Sequence, residues 1–195
     1  MKVIGLTGGV GAGKSTVLNT LQSLYNIRLL IADDIARDLQ SPGHDCYNKI
    51  KEAFPDESLY LPNGEMDRNA FAKLIFSDES KRVLLDNIVH PAVDEFIKNA
   101  IAEEKASGKM DAIIMESAIL LDVGLKSYCD EIWYVYASEE VRAKRLAQNR
   151  GYSKDKIKNI MKSQKSEADF KRLCDRMIVN DGDENALRKE LTGIL

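Results

Sequence analysis

The sequence predicts an α/β fold built on a parallel sheet of about five strands, and three observations predict it. Short apolar runs recur along the chain, helical patterns fill the spaces between them, and a glycine-rich turn follows the first run directly. The runs are continuous in apolar residues rather than alternating, as strands covered on both faces must be. Strands separated by helices need crossovers, and a crossover returns the chain parallel to itself.

In chain order the runs are 2–7, 28–32, 111–116 and 131–136, with a fifth at 176–180. Trp133 and its neighbours on the fourth run read as core. Helical periodicity covers 15–25, 78–106 and 138–149. Between about 40 and 66, Gly43, Pro55 and the Pro62-Asn63-Gly64 turn break up any strand, so this region is expected to leave the sheet as a helical excursion. A second excursion runs from Arg150 to about Lys171. There Ser153 and Asp155 are placed to open a helix, and the lysines from Lys154 to Lys165 form a solvated face that also attracts polyanionic substrates.

The 195 residues suit one nucleus with appendages, and 44% hydrophobic with 30% charged residues is the balance of a globular protein. Lys plus Arg total 28 against 31 for Asp plus Glu, a net charge of −3, so the chain lacks the field that draws a protein onto nucleic acid or anionic lipid. Cys46, Cys129 and Cys174 are scattered and form no C-x-x-C pair, which fits neither a disulfide framework nor a zinc site and points to a reducing, cytoplasmic setting. His44 and His90 are the only histidines, which excludes a metal centre built on three. Glycines and Lys14 interrupt the first apolar run before a signal peptide is complete, and no stretch is long enough to span a membrane.

Directly after the first run stands Gly8-Gly9-Val10-Gly11-Ala12-Gly13-Lys14-Ser15, which satisfies G-x-x-x-x-G-K-[ST] and leads into a helical pattern. Glycines let such a loop wrap its backbone N–H groups around phosphate oxygens, and the following helix N-terminus adds partial positive charge. Lys14 is expected at the β and γ phosphates, the Ser15 hydroxyl on Mg²⁺, and Thr16 at the α-phosphate. The dinucleotide spacing G-x-G-x-x-G is not met, because Gly9-x-Gly11 is followed three residues on by Lys14, and Gly11-x-Gly13 by Thr16. A nucleoside triphosphate is the better ligand.

No guanine-reading Asn-Lys-x-Asp is present, since Asn48-Lys49 is followed by Ile50-Lys51, and the modest length favours a kinase that closes over a small acceptor. Asp33 follows the second run at the sheet edge that carries the loop, where an acceptor hydroxyl needs a carboxylate to orient it and take its proton. Arg37, four residues on, is placed to hold an acceptor anion. The same spacing also suits a capping Asp33 in an i,i+4 pair with Arg37, and both readings stand at this point. Glu116 ends the third run, either holding Mg²⁺ through water or capping the next turn. Arg142 and Arg145 lie three apart on the helix after the fourth run, where a cation would neutralise the transferring phosphoryl group. His90, before Pro91, is either an acceptor contact or a structural histidine.

With these pieces assembled, the sequence resembles the dephospho-CoA kinase family over essentially its full length. The resemblance is carried by Gly5-Leu6-Thr7-Gly8-Gly9 with Gly13-Lys14-Ser15-Thr16, by Ala32-Asp33-Asp34-Ile35-Ala36-Arg37, by Gly64-Glu65-Met66-Asp67-Arg68, by Ile88-Val89-His90-Pro91, and by Gln164 with Asp175, Asn180 and Gly182. It implies transfer of the ATP γ-phosphate to the 3′-hydroxyl of dephospho-CoA with Mg²⁺, in a three-layer P-loop kinase fold. A core of 1–36, 84–140 and 174–195, a helical CoA-binding domain of 37–83 and a lid of 141–173 are implied with it. Gly9, Gly11, Ala12, Gly13, Lys14, Ser15, Thr16, Arg145 and Asn180 would bind ATP; Asp33, Arg37, His90 and Glu116 would serve the acceptor; Asp33, Lys14 and Arg145 would carry catalysis.

The chain departs from the family pattern at three places. Ile31 stands where the family has its first Asp, Ala118-Ile119-Leu120-Leu121-Asp122 replaces a Pro-Leu-Leu-Phe-Glu segment, and Asn149 with Arg150 beside it replaces a lid arginine. A monomer or weak homo-oligomer is expected. The alternatives are a kinase of another nucleotide or small-molecule acceptor, and a nucleotide-binding switch without catalysis.

Overall fold

In the computed structural model, which describes residues 1–117 and 125–195, the five apolar runs become strands β1 (Lys2–Thr7), β2 (Ile27–Ile31), β3 (Ala112–Glu116), β4 (Glu131–Tyr136) and β5 (Arg176–Val179). The predicted and observed ends differ by one residue at most. The replaced segment that contains Asp122 lies outside the described residues.

The strands form one parallel sheet in the order β2-β3-β1-β4-β5. Central β1 places Leu6 opposite both Glu116 of β3 and Trp133 of β4. Val3, Ile4 and Leu6 are fully buried, as are Ile113, Ile114 and Met115 of β3, so continuous apolar runs report burial on both faces. Around the sheet run α1 (Lys14–Leu24), α6 (Glu139–Arg150), α7 (Lys154–Lys162), α8 (Glu167–Leu173) and α9 (Glu184–Leu191). Ser138, Ser153, Ser166 and Asp183 cap the last four by accepting a backbone N–H from the first turn. The chain leaves β1 toward β2 and leaves the adjacent β4 toward β5. Such a reversal opens a crevice at the C-terminal ends of the two strands.

Three aspartates fix where strands begin. Asp111, just before β3, donates its N–H to Asn26 O at 2.8 Å and accepts the Asn26 N–H on Oδ2 at 2.8 Å. Asp130 clasps Val3 of β1 in the same way, at 2.7 Å in both directions. Asp175 clasps Ile132 of β4, donating at 2.8 Å and accepting at 2.7 Å. In each case a carboxylate supplies the charge-assisted acceptor that the ladder lacks at its first rung.

The chain divides into two compact units, residues 1–30 with 101–195, and residues 31–100. The first contains the sheet apart from the last residue of β2. The second contains α2 (Ala32–Leu39), α3 (Asp45–Ala53), α4 (Arg68–Ser77) and most of α5 (Glu79–Ser107), which continues into the first unit. Its core is a small aromatic cluster. Phe71 meets Phe54 and Tyr60 edge-on with ring centres 5.6 and 5.8 Å apart, over buried Ile50, Leu59 and Met66.

Candidate active site

The glycine-rich loop lies in the crevice, joining the end of β1 to the start of α1. Gly13 is the residue before α1 and has φ +86, a left-handed conformation that a side chain would strain. Its carbonyl already accepts from Thr16 N at 3.0 Å, so the turn passes straight into the helix.

What orients the loop is a set of donors on its carbonyls. Arg142 Nε donates to Val10 O at 2.9 Å, Arg145 Nη1 to Ala12 O at 3.2 Å, and Asn180 Nδ2 to Ala12 O at 2.8 Å and Gly13 O at 3.4 Å. Lys14 Nζ reaches back to Gly8 O at 3.1 Å. A trans peptide points its N–H opposite its C=O. Fixing the carbonyls of Gly8, Val10, Ala12 and Gly13 therefore turns the amides of Gly9, Gly11, Gly13 and Lys14 the other way. Donors turned together in this manner make an anion-binding concavity, and the N-terminus of α1 adds to it.

Each donor is placed by its element. Arg142 and Arg145 are three apart on α6, hence on one face. Asn180 follows β5, is 4% exposed, and continues the ladder with its N–H on Tyr136 O at 2.8 Å. Arg145 Nη2 also donates to Asn180 O at 2.9 Å, tying α6, β5 and the loop into one network. Beyond α7, Gln164 turns its side-chain carbonyl into the loop. Oε1 accepts from Arg142 Nη2 at 2.5 Å and from Val10 N at 3.3 Å.

Lys14 lies 3.5 Å from the Glu116 carboxylate, with both side chains largely buried. Glu116 reaches this position because register sets it opposite Leu6, one residue short of the end of β1. The Thr7 hydroxyl just before the loop is fully buried without a hydrogen-bond partner. Among the described residues no group of three or more His, Cys, Asp or Glu could enclose a metal ion. The Ser15 hydroxyl and the Glu116 carboxylate are hard oxygen donors. That limited set suits Mg²⁺, which keeps waters and takes further ligands from substrate phosphates.

In the second unit, Asp33 sits exposed in the first turn of α2. The capping reading is corrected here. The cap position is Ile31, no side chain caps the helix, and Arg37 pairs with Asp34 at 3.0 Å rather than with Asp33. The helix begins two residues earlier than capping by Asp33 requires, and Arg37 takes its i,i+3 partner Asp34. Arg68 Nη2 lies 3.4 Å from Arg37 O, which groups two arginines. Asp67 caps α4 through the N–H groups of Asn69 and Ala70, so the Gly64–Arg68 motif is a turn and a helix start. His90 is exposed on α5, 3.9 Å from Asp86.

The structure thus brings together Gly9, Gly11, Ala12, Gly13, Lys14, Ser15, Thr16, Arg145, Asn180 and Glu116 in the first unit. Asp33, Arg37 and His90 belong to the second. Arg150 ends α6, exposed, and makes no contact with the loop among the described hydrogen bonds and ion pairs. Sequence reasoning missed the Lys14–Glu116 pair, which depends on strand order, and the loop contacts of Arg142 and Gln164. For Gln164 the only sequence signal was its place in the resemblance.

The dephospho-CoA kinase family model matches residues 2–186 of this chain. A dephospho-CoA kinase of Carboxydothermus hydrogenoformans is 35% identical over 195 residues, spanning 100% of this chain and 93% of the relative. A Thermus thermophilus protein of solved structure superposes with a TM-score of 0.78 at 26% identity, over 97% of this chain and 94% of its own. The dephospho-CoA kinase from Campylobacter jejuni shares the fold with a TM-score of 0.72 at 21% identity, over 97% and 92% of the two chains.

Proposed function

This chain belongs to the dephospho-CoA kinase family, and from that premise we propose that it transfers the γ-phosphoryl group of ATP to the 3′-hydroxyl of dephospho-CoA, giving CoA and ADP. The observation that carries the reading is the loop whose carbonyls are held by Arg142, Arg145, Asn180 and Lys14, leaving its amides as a preformed phosphate cradle.

In this reading the loop from Gly9 to Thr16 holds the triphosphate, chiefly through the amides of Gly9, Gly11, Gly13 and Lys14, and Lys14 exchanges Glu116 for the β and γ phosphates. Arg145 and Asn180 keep the cradle in shape, and Arg145 faces the charge that builds on the transferring group. Asp33 orients the acceptor hydroxyl and takes its proton as the 3′-oxygen bonds to phosphorus and the bond to the bridging oxygen of ADP breaks. Arg37 holds an anionic part of the acceptor, with His90 and Glu116 completing its surroundings. Mg²⁺, held by Ser15 and Glu116 with the phosphates, would supply charge neutralisation of the triphosphate. Residues 37–83 act as the acceptor domain and 141–173 as a lid, in a cytoplasmic enzyme that works as a monomer or weak homo-oligomer without nucleic acid or membrane.

The test is ADP release with ATP, Mg²⁺ and a panel of acceptors. Strong stimulation by dephospho-CoA and little by AMP, CMP or shikimate is the expected result. Stimulation by another acceptor alone would reassign the substrate, and nucleotide binding with no acceptor-dependent turnover would make the chain a switch.

A further inference from the structure

Two donors from different elements converge on one oxygen at the mouth of the cradle. Val10 N–H comes from the loop and Arg142 Nη2 from α6, and the oxygen they share is Gln164 Oε1. A Cβ on Gly9 would lie 2.5 Å from Arg142 Nη2 and 2.9 Å from Gln164 Oε1, so both side-chain ends lie close against the loop at this point. Arg142 is meanwhile anchored by Nε on Val10 O, so its Nη2 direction does not depend on Gln164.

We propose that Gln164 Oε1 occupies the site of a terminal phosphate oxygen, as an internal ligand that ATP displaces and ADP does not. The inference rests on the reading of the loop as an ATP cradle. In that reading Thr16 and Lys14 mark the α and the β,γ positions of the cradle, and Val10 stands in the part of the loop next to β1, on the other side of Lys14 from Thr16. The oxygen that replaces Oε1 is thus the one furthest along the polyphosphate. It inherits both donors at once. Binding ATP therefore recruits Arg142 to the γ-phosphoryl group without moving α6, and releases residue 164 and the segment that carries it. Gln164 acts as a specificity-determining residue: its competition is paid only by a ligand with a third phosphate.

The experiment measures dissociation constants of ADP and of a non-hydrolysable ATP analogue for the wild type, Gln164→Met and Gln164→Glu, each first checked for a native thermal transition. Methionine keeps the bulk but removes the competing carbonyl. The analogue should bind about three- to ten-fold tighter to Gln164→Met, the scale of one net hydrogen bond, with ADP within about two-fold of wild type. Glutamate keeps the shape but adds a charge that pairs with Arg142 and opposes phosphate, so the analogue should weaken at least about ten-fold, and ADP less. Equal shifts for both nucleotides in either variant, or weaker analogue binding to Gln164→Met, overturn the proposal and leave Gln164 a structural strut. A wild type that binds neither nucleotide instead overturns the cradle itself, a distinguishable failure.

Discussion

The two ends of the sheet are built from the same residue types to opposite purposes. At the strand starts, Asp111, Asp130 and Asp175 each turn a carboxylate oxygen to the backbone N–H of the neighbouring strand or its lead-in. At the strand ends, Glu116 faces a lysine and the Thr7 hydroxyl has no partner. Polar groups satisfied by backbone serve stability; a carboxylate facing a lysine that a phosphate can draw away, and a buried hydroxyl without a hydrogen bond, are placed for chemistry. The contrast assigns different consequences to mutations only a few residues apart.

The largest effect is expected at the end of β2. Asp33→Asn keeps size but removes the charge and basicity, so kcat should fall by about 100- to 10,000-fold. Because Asp33 caps nothing and loses only its first-turn charge, thermal unfolding should move little. A loss of activity explained wholly by unfolding would return the residue to a structural role.

Next is Lys14→Ala, which leaves the cradle without its point charge. Turnover should drop by at least about 100-fold while the folded state persists, checked by steady-state kinetics beside thermal melts. Near-normal turnover would erase the distinction between the two ends.

The opposite end should answer in the opposite currency. Asp130→Ala removes the acceptor for the buried Val3 N–H and should cost about 1–3 kcal/mol, read as a lower urea midpoint, with kcat kept at temperatures where the protein is folded. A collapse of kcat in the folded variant would break the comparison.

The smallest effect concerns pH. Cys129 and Cys174 stand directly before Asp130 and Asp175, and burial, reinforced by the adjacent carboxylates, pushes their thiols up from 9.0 to about 12 and about 11. The unfolded chain releases these protons near pH 9 whereas the folded chain retains them, so the stabilisation is full below pH 9 and is lost as pH rises toward 11 and 12. Urea midpoints should fall between about pH 8 and about pH 10, and less so in a Cys129→Ala, Cys174→Ala double variant.

The sheet was legible in the sequence because burial on both faces writes itself as unbroken apolar runs, and the loop because its spacing is fixed by phosphate geometry. The strand-start clasps were not legible. Asp130 and Val3 are 127 residues apart, and only strand order makes them neighbours. Spacing left Asp33 open between cap and catalyst, and the cap position is taken by Ile31 without any side-chain bond. Arg37 illustrates the limit of spacing arguments, since partners at i−3 and i−4 were both acidic and geometry chose Asp34. The role of Gln164 depends on a side chain 154 residues from the amide it meets.

The three clasps also bear on how the chain finds its fold. Every pairing in a parallel sheet joins distant segments, so the search is slow and near-miss alignments of apolar strands are close competitors. Hydrophobic contact alone discriminates weakly between strands as uniform as Val3-Ile4 and Ile113-Ile114. A strand that docks one residue out of step carries its leading aspartate past the waiting N–H, leaving a carboxylate and an amide both unmet at a closing interface. Such an intermediate is penalised at its first rung, before the rest of the strand has zipped. Asp111, Asp130 and Asp175 thereby act as checkpoints on alignment, rejecting errors while they are still cheap to undo.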